Sequence, residues 1–188
     1  DPKATWGITR GNPIWEEMFE MAQRTAQRTG PAFLLNVTMN DSHELTGVFA
    51  GDLDAAHAAG CAFVAQHAFV QVEAPFDVVV TTNSGYPLDQ NLYQTVKGMS
   101  AAARVVRDGG AIVMCAACSD GLPAHGQYAA LLRQAGSLQG LLDMLHQPGF
   151  ASHDQWQVQI QAQIQQRADV YVHAHGLSDD DIRRALFT

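Results

Sequence analysis

At 188 residues, 47% of them hydrophobic, the chain is long enough to bury a full core, and its length suits one compact domain. A formal net charge of −8 with only 8% aromatic residues argues against a nucleic-acid surface, which calls for clustered Lys and Arg. No apolar run approaches the roughly 20 residues of a membrane span, and the amino end carries no signal-peptide pattern. Three cysteines, Cys61, Cys115 and Cys118, lack the spacing of a disulfide framework, so a reducing cytoplasm is the expected setting. The first residue is Asp1, and no element is recognisable before about Asn12. Residues 1–11 therefore read as frayed or linker-like, and the whole as a piece of a longer protein.

Asn12-Pro13 offers a cap and a first-turn proline, followed by Trp15, Met18, Phe19 and Ala22 at helical spacing, with Gly30 as a stop. Ala32 to Met39 reads as a largely buried strand and Leu45 to Ala50 as its hairpin partner. Asp52 opens an alanine-rich helix, after which Ala68 to Glu73 and Asp77 to Thr81 read as two β segments around Pro75. A helix is expected from about Asp89 to Arg107, then an Asp-Gly-Gly break at 108–110 and an apolar strand, Ala111 to Ala116. Strand, helix and strand from Asp77 to Ala116 form a crossover unit of the kind that builds parallel sheets. Helices near His125–Ala135, Ser137–His146 and His153–Arg167 come next, then a short strand at Val170–His173 and a last helix from Ser178. In the glutamine-rich stretch Trp156, Ile160 and Ile164 keep to one helical face, which marks a structured helix rather than a linker. The fold class is α/β: a mixed, partly parallel sheet flanked by helices in a single domain.

The stretch TTNSGYPLDQNLYQTVKGMS, Thr81 to Ser100, concentrates the functional signal. In open α/β sheets ligands settle outside the carboxyl ends of the strands, and the turn Asn83 to Asp89 occupies such an end. Ser84-Gly85 lets the backbone approach closely, and a helix start favours an anion such as a carboxylate or phosphate. Lys97 is one of two lysines in the chain, the other being Lys3. Tyr93 and Gln94 lie one turn from it, so a phenol, an amide and an ammonium share a helix edge, a set suited to orienting a small hydroxy-carboxylate. The plainer reading is a solvated lysine beside a core tyrosine. The loop Ser119 to Gly126 borders the same cleft, with Asp120 and His125 as further contacts or as ordinary turn residues. Cys115 and Cys118 have CxxC spacing but lie at a strand end, where buried structural thiols are expected. His173 and His175 have no nearby partner to complete a metal set, and His57 suits a bond to a loop carbonyl better than catalysis.

Together GYPLDQNLYQTVKG, the NP-led helix, LNVTMN, VFAGDLDAAHAAG, DGGAIVMCAACSDG and HDQWQVQ resemble the C-terminal half of the nickel-dependent lactate racemase (LarA-like) family, from about Gly11 to Asp181. The resemblance implies a two-domain enzyme holding a nickel-pincer nucleotide and interconverting the enantiomers or epimers of 2-hydroxy acids. Hydride leaves the hydroxyl-bearing carbon and returns to either face of a transient 2-keto acid. The cofactor lysine, the nickel-binding histidine and the acid/base histidines belong by this resemblance to the N-terminal half, so this chain has no catalytic or metal residue and is inactive alone. Gln94 and Lys97 match the glutamine and lysine that approach the substrate, Tyr93 the adjacent tyrosine, and Trp156 an aromatic near the same cleft. Ala117 departs from the pattern, where a more polar residue is expected before the cysteine. The implied partners are a small 2-hydroxy acid and the N-terminal domain. The alternative is a non-catalytic module binding a carboxylate or a nucleotide.

Overall fold

A computed structural model describes residues 3–188. Where the sequence suggests one domain over residues 1–188, the contacts gather into two compact units, Asp1–Gln71 and Val72–Thr188.

In the first unit, helix α1 (Pro13–Thr29) starts on Asn12, whose side chain accepts from Ile14 N, and ends at Gly30 with φ 103°. The Asn12 amide also donates to the carbonyls of Thr5 and Ile8, both at 3.0 Å, and Arg10 grips the Asp54 carboxylate at 2.5 Å. Residues 3–11, expected to fray, are thus fastened; Asp1 and Pro2 lie outside the described residues. Strands β1 (Phe33–Met39) and β2 (Leu45–Asp52) pair antiparallel as a hairpin, and Asp52 caps α2 (Leu53–Ala68) by accepting from Asp54 N and Ala55 N. Two expectations are corrected. β1 is not a buried strand: α2 packs on the side of Phe49, whereas Phe33 and Leu35 on the other side are 76% and 64% exposed. Residues 69–75 form no strand: α2 runs on to Ala68, and the segment joins neither sheet.

The second unit holds the core. Strands β3 (Phe76–Thr82), β4 (Val106–Ala116) and β5 (Ala168–Ala174) form an all-parallel sheet in that order, of which the β3–β4 pairing is the one the crossover pattern predicts. The antiparallel and parallel strands of the α/β fold are therefore in separate sheets. Helix α3 (Leu92–Ala102) connects β3 to β4, and α6 (Gln155–Arg167) leads into β5. Leu92, Val96 and Met99 of α3, Ile112 and Met114 of β4, and Val158 of α6 are wholly buried together. Helices α4 (Tyr128–Ala135) and α5 (Leu138–Leu145) add Tyr128, Leu132 and Leu141 to that core. Gly98 marks the closest approach of α3 to the sheet, since a Cβ there would stand 2.6 Å from both Met114 Cε and the Thr82 carbonyl oxygen.

Helix α3 is shorter than expected at both ends. Its cap is Asn91, which accepts from Gln94 N at 3.1 Å, and after Ala102 the chain turns so that Val106 pairs with Phe76. The Asp-Gly-Gly sequence interrupts β4 as an irregularity in register, with Gly109 at φ 69°, rather than preceding the strand. In α6 the core face is set by Gln157, Val158, Gln161, Ala162 and Ile164, with Ile160 partly buried against it, while Trp156 is 49% exposed at the helix start. The buried glutamines bond outward from α6, Gln157 Nε2 to Tyr93 O at 2.5 Å and Gln161 Nε2 to Ala185 O at 2.7 Å, and the partly buried Gln165 donates from Nε2 to Leu186 O. Tyr128 donates its hydroxyl to Gln161 Oε1 at 2.6 Å, and burial pushes that phenol far above its usual range. Ser178 and Asp181 form a reciprocal capping box on α7 (Asp179–Arg184).

Candidate functional site

The turn 83–91 leaves the carboxyl end of β3 and delivers the chain to α3. It is built to be rigid. Ser84 and Gly85 both sit at positive φ, 63° and 77°, where Gly85 carries no side-chain strain. Asn83 reaches across with its amide to the carbonyls of Leu88 and, at 3.1 Å, Gln94. Four bonds then zip the turn to the loop that leaves β4: Ala117 N to Asp89 Oδ2 at 2.9 Å, Cys118 N to Asp89 O at 2.9 Å, Asp120 N to Gln90 O at 2.8 Å, and Leu92 N to Gly121 O at 3.2 Å. The neighbouring strand ends thereby fix the start of α3 and everything it carries.

This arrangement corrects the expected anion site at the helix start. The first-turn donors Leu92 N and Gln94 N are spent inside the protein, on Gly121 O and Asn91 Oδ1, and the buried Asp89 carboxylate stands beside them. A free anion would meet few open N–H groups and a negative neighbour. The side chains of α3 remain for recognition.

Of these, Lys97 is exposed and donates from Nζ to Gln94 Oε1 at 2.6 Å. Because an ammonium only donates, the contact fixes the amide orientation and turns both Nε2 hydrogens away from the lysine. Lys97 keeps two N–H donors for a further acceptor. The pair is a ready cluster of donors for a carboxylate with an adjacent hydroxyl. Tyr93 is half-buried, edge-on to Tyr128 at 5.5 Å between ring centroids and to Trp156 at 5.8 Å. Burial, then the nearby Asp154 carboxylate, raises its phenol above the usual range, so it remains a protonated donor at neutral pH. Trp156 and Tyr93 thus form an aromatic wall on residues 63 apart in sequence.

Ser84 and Gly85 lie in the turn itself, and Asp120 joins the site only through its backbone N–H; its side chain is exposed. His125 is exposed, and no hydrogen bond or ring contact among the described residues joins it to the other candidates. Cys115 and Cys118 are free thiols, the latter buried, and burial raises its thiol above the usual range, against the low-pKa thiolate that redox chemistry requires. His173 and His175 meet edge-on at 5.8 Å. Among the described residues no three His, Cys, Asp or Glu side chains converge as a metal ion would need.

Sequence reasoning missed Asn83, Asp89 and Gln157 as the residues that hold the site. Asp89 is 6% exposed, with Oδ2 on Ala117 N and Oδ1 buried without a protein partner. Replacing Asp89 with alanine removes the acceptor of the part-buried Ala117 N–H bond and is expected to cost about 1 kcal/mol in thermal or denaturant unfolding. A melting curve that matches the parent chain would show that the turn is held by its backbone bonds alone.

Fold and site together define an α/β domain that offers an amine, an amide and an aromatic wall beside the carboxyl ends of a parallel sheet. The family profile described as the lactate racemase C-terminal domain matches residues 71–185. The chain belongs to that family. It is 39% identical to the lactate racemase of Thermoanaerobacterium thermosaccharolyticum over 166 residues, 87% of this chain and 38% of the relative. With the lactate racemase of Lactiplantibacillus plantarum it shares 38% identity over 182 residues, 96% of this chain and 40% of the relative. The structure of the lactate racemase apoprotein from the Thermoanaerobacterium species superposes with a TM-score of 0.87 at 34% identity, covering 100% of this chain and 44% of that one. A Thermotoga maritima protein at 13% identity and a TM-score of 0.60 shares the fold alone. The chain therefore spans well under half the length of the lactate racemases it matches.

Proposed function

We propose that this chain is the substrate-side part of a longer 2-hydroxyacid racemase or epimerase, in which Lys97 and Gln94 receive the carboxylate and hydroxyl of the substrate. The observation that carries the reading is the 2.6 Å Lys97–Gln94 contact on an exposed helix edge anchored to two strand ends. Lys97 neutralises the carboxylate; Gln94 directs an amide donor to the same small ligand; Tyr93 and Trp156 limit how its carbon skeleton lies. Binding through fixed donors orients the hydroxyl-bearing carbon, which a reaction at that carbon needs more than it needs affinity.

The nickel-pincer nucleotide that the family resemblance implies would serve as hydride acceptor and donor. The described residues do not fit its metal, since no ligand set converges among them, and no step of this chain's own chemistry runs through it. Its attachment and the acid/base groups fall, on this proposal, to the N-terminal domain, which leaves this chain inactive alone. Three free cysteines suit a reducing compartment, and the cytoplasm is the proposed location. No helix of the described chain is long and apolar enough to cross a membrane.

The test is a stereochemical assay on a panel of single-enantiomer 2-hydroxy acids, comparing the cofactor-loaded longer chain with the 188-residue piece. Racemisation or epimerisation by the longer chain alone is expected. Silence from the properly loaded longer chain across lactate, malate, longer hydroxy acids and sugar acids would refute the reading.

A further inference from the structure

The Val72–Thr188 unit owns almost all of the buried apolar residues. Within Asp1–Gln71 the one hydrophobic residue that reaches full burial, among those described, is Ala56, at 7% exposure. A cavity of about 620 Å³ also stays open between α2 and its surroundings in that unit, lined by Phe49, Ala62, Val64 and Phe69. Native interiors are packed to the density of organic crystals, so a unit of this length without a filled core has not finished burying its apolar surface.

The hairpin shows which surface is unfinished. Along β1, Phe33, Leu35, Val37 and Met39 alternate onto one face, joined across the ladder by Val48 and Leu45, and all six are exposed. The face that α2 covers carries Leu34, Asn36, Thr38, Gly47 and Phe49, a more polar set. A strand's period of two assigns its apolar set to the core side, so the covered face here is the less apolar of the two. On α1, Met18 and Met21 are likewise exposed.

The occupant is indicated by where the comparisons divide. The C-terminal domain profile begins at residue 71, at the boundary between the two compact units, whereas the full-length lactate racemases align over 87% and 96% of this chain. Much of residues 1–70 therefore matches relatives in a region outside their C-terminal domain. More than half of each relative's length also lies outside the match, ample chain to supply strands and helices for an open face.

We infer that the Phe33/Leu35/Val37/Met39 face of the hairpin is a core face of the preceding domain, covered by polypeptide that lies N-terminal to this segment in the longer chain. The domain boundary then falls near residue 71, and the first unit contributes no part of the C-terminal fold. The inference rests on the longer-chain reading above but not on its chemistry.

Hydrogen exchange read by mass spectrometry tests it, on the 188-residue chain and on the longer chain. Peptides from residues 33–39 and 45–52 are expected to exchange about a hundredfold more slowly in the longer chain, while Ala111–Ala116 of the core strand is equally protected in both. In parallel, Leu35→Glu should leave the melting temperature of the 188-residue chain unchanged and lower that of the longer chain. Equal exchange of the hairpin in the two proteins would overturn the inference. So would protection in the 188-residue chain that grows with concentration, which would assign the face to a second copy. Neither readout needs catalytic activity: a protected but inactive longer chain sinks the racemase reading alone, and an active one with an unprotected hairpin sinks only the interface.

Discussion

Replacing Lys97 with alanine in the longer chain is expected to lower kcat/KM for the 2-hydroxy acid by roughly 10- to 150-fold, the rate equivalent of the about 1.5–3 kcal/mol carried by a hydrogen bond to a charged group. The lysine is exposed and its observed side-chain partner is Gln94, so the melting temperature should move little while turnover falls. That contrast separates recognition from support of the fold. Lys97→Arg should restore only part of the activity: it keeps the charge, but a planar guanidinium cannot reproduce the ammonium's approach to both Gln94 and a ligand. If kcat/KM of the alanine variant equals that of the parent, Nζ does not meet the substrate.

Gly98→Val is expected to damage the fold severely. The added Cβ would stand 2.6 Å from Met114 Cε, which could swing aside, and 2.6 Å from the Thr82 carbonyl oxygen, which could not without disturbing the end of β3. Overpacking against backbone should cost about 3 kcal/mol or more, and the melting temperature should drop by about 10 °C. Adding Met114→Ala relieves the first clash and leaves the second, so the double variant should stay close to the single one. Recovery in the double variant would show that side-chain crowding alone was at fault, and that helix and strand can separate.

Much of the fold is written locally. Asn12, Asp52, Ser137 and Ser178 announce four helix starts, and each accepts a backbone N–H in the structure. The β3–α3–β4 crossover is legible because an apolar strand, a helix-period segment and a second strand succeed one another at the spacing that parallel pairing needs. The errors fall where the deciding partner is distant. Asp89 looks like a helix cap because the helix-period residues begin just after it; the N–H it accepts belongs to Ala117, 28 residues on. Gln157 and Gln161 look solvent-facing because glutamine is polar, yet their acceptors are carbonyls of Tyr93 and Ala185. At the candidate site, the Gln94–Lys97 contact could be read from helical spacing, whereas the meeting of Tyr93 with Trp156 required the family resemblance or the structure.

Every tie that the α6 glutamines make to Tyr93 O, Ala185 O, Leu186 O and the Tyr128 hydroxyl joins groups that carry no charge at neutral pH, and burial keeps the phenol from ionising in the ordinary alkaline range. Protons can come and go in solution without loosening the brace behind α3. These glutamine ties are electrically silent, and an inflection in a pH–rate profile of the longer chain is not to be attributed to them.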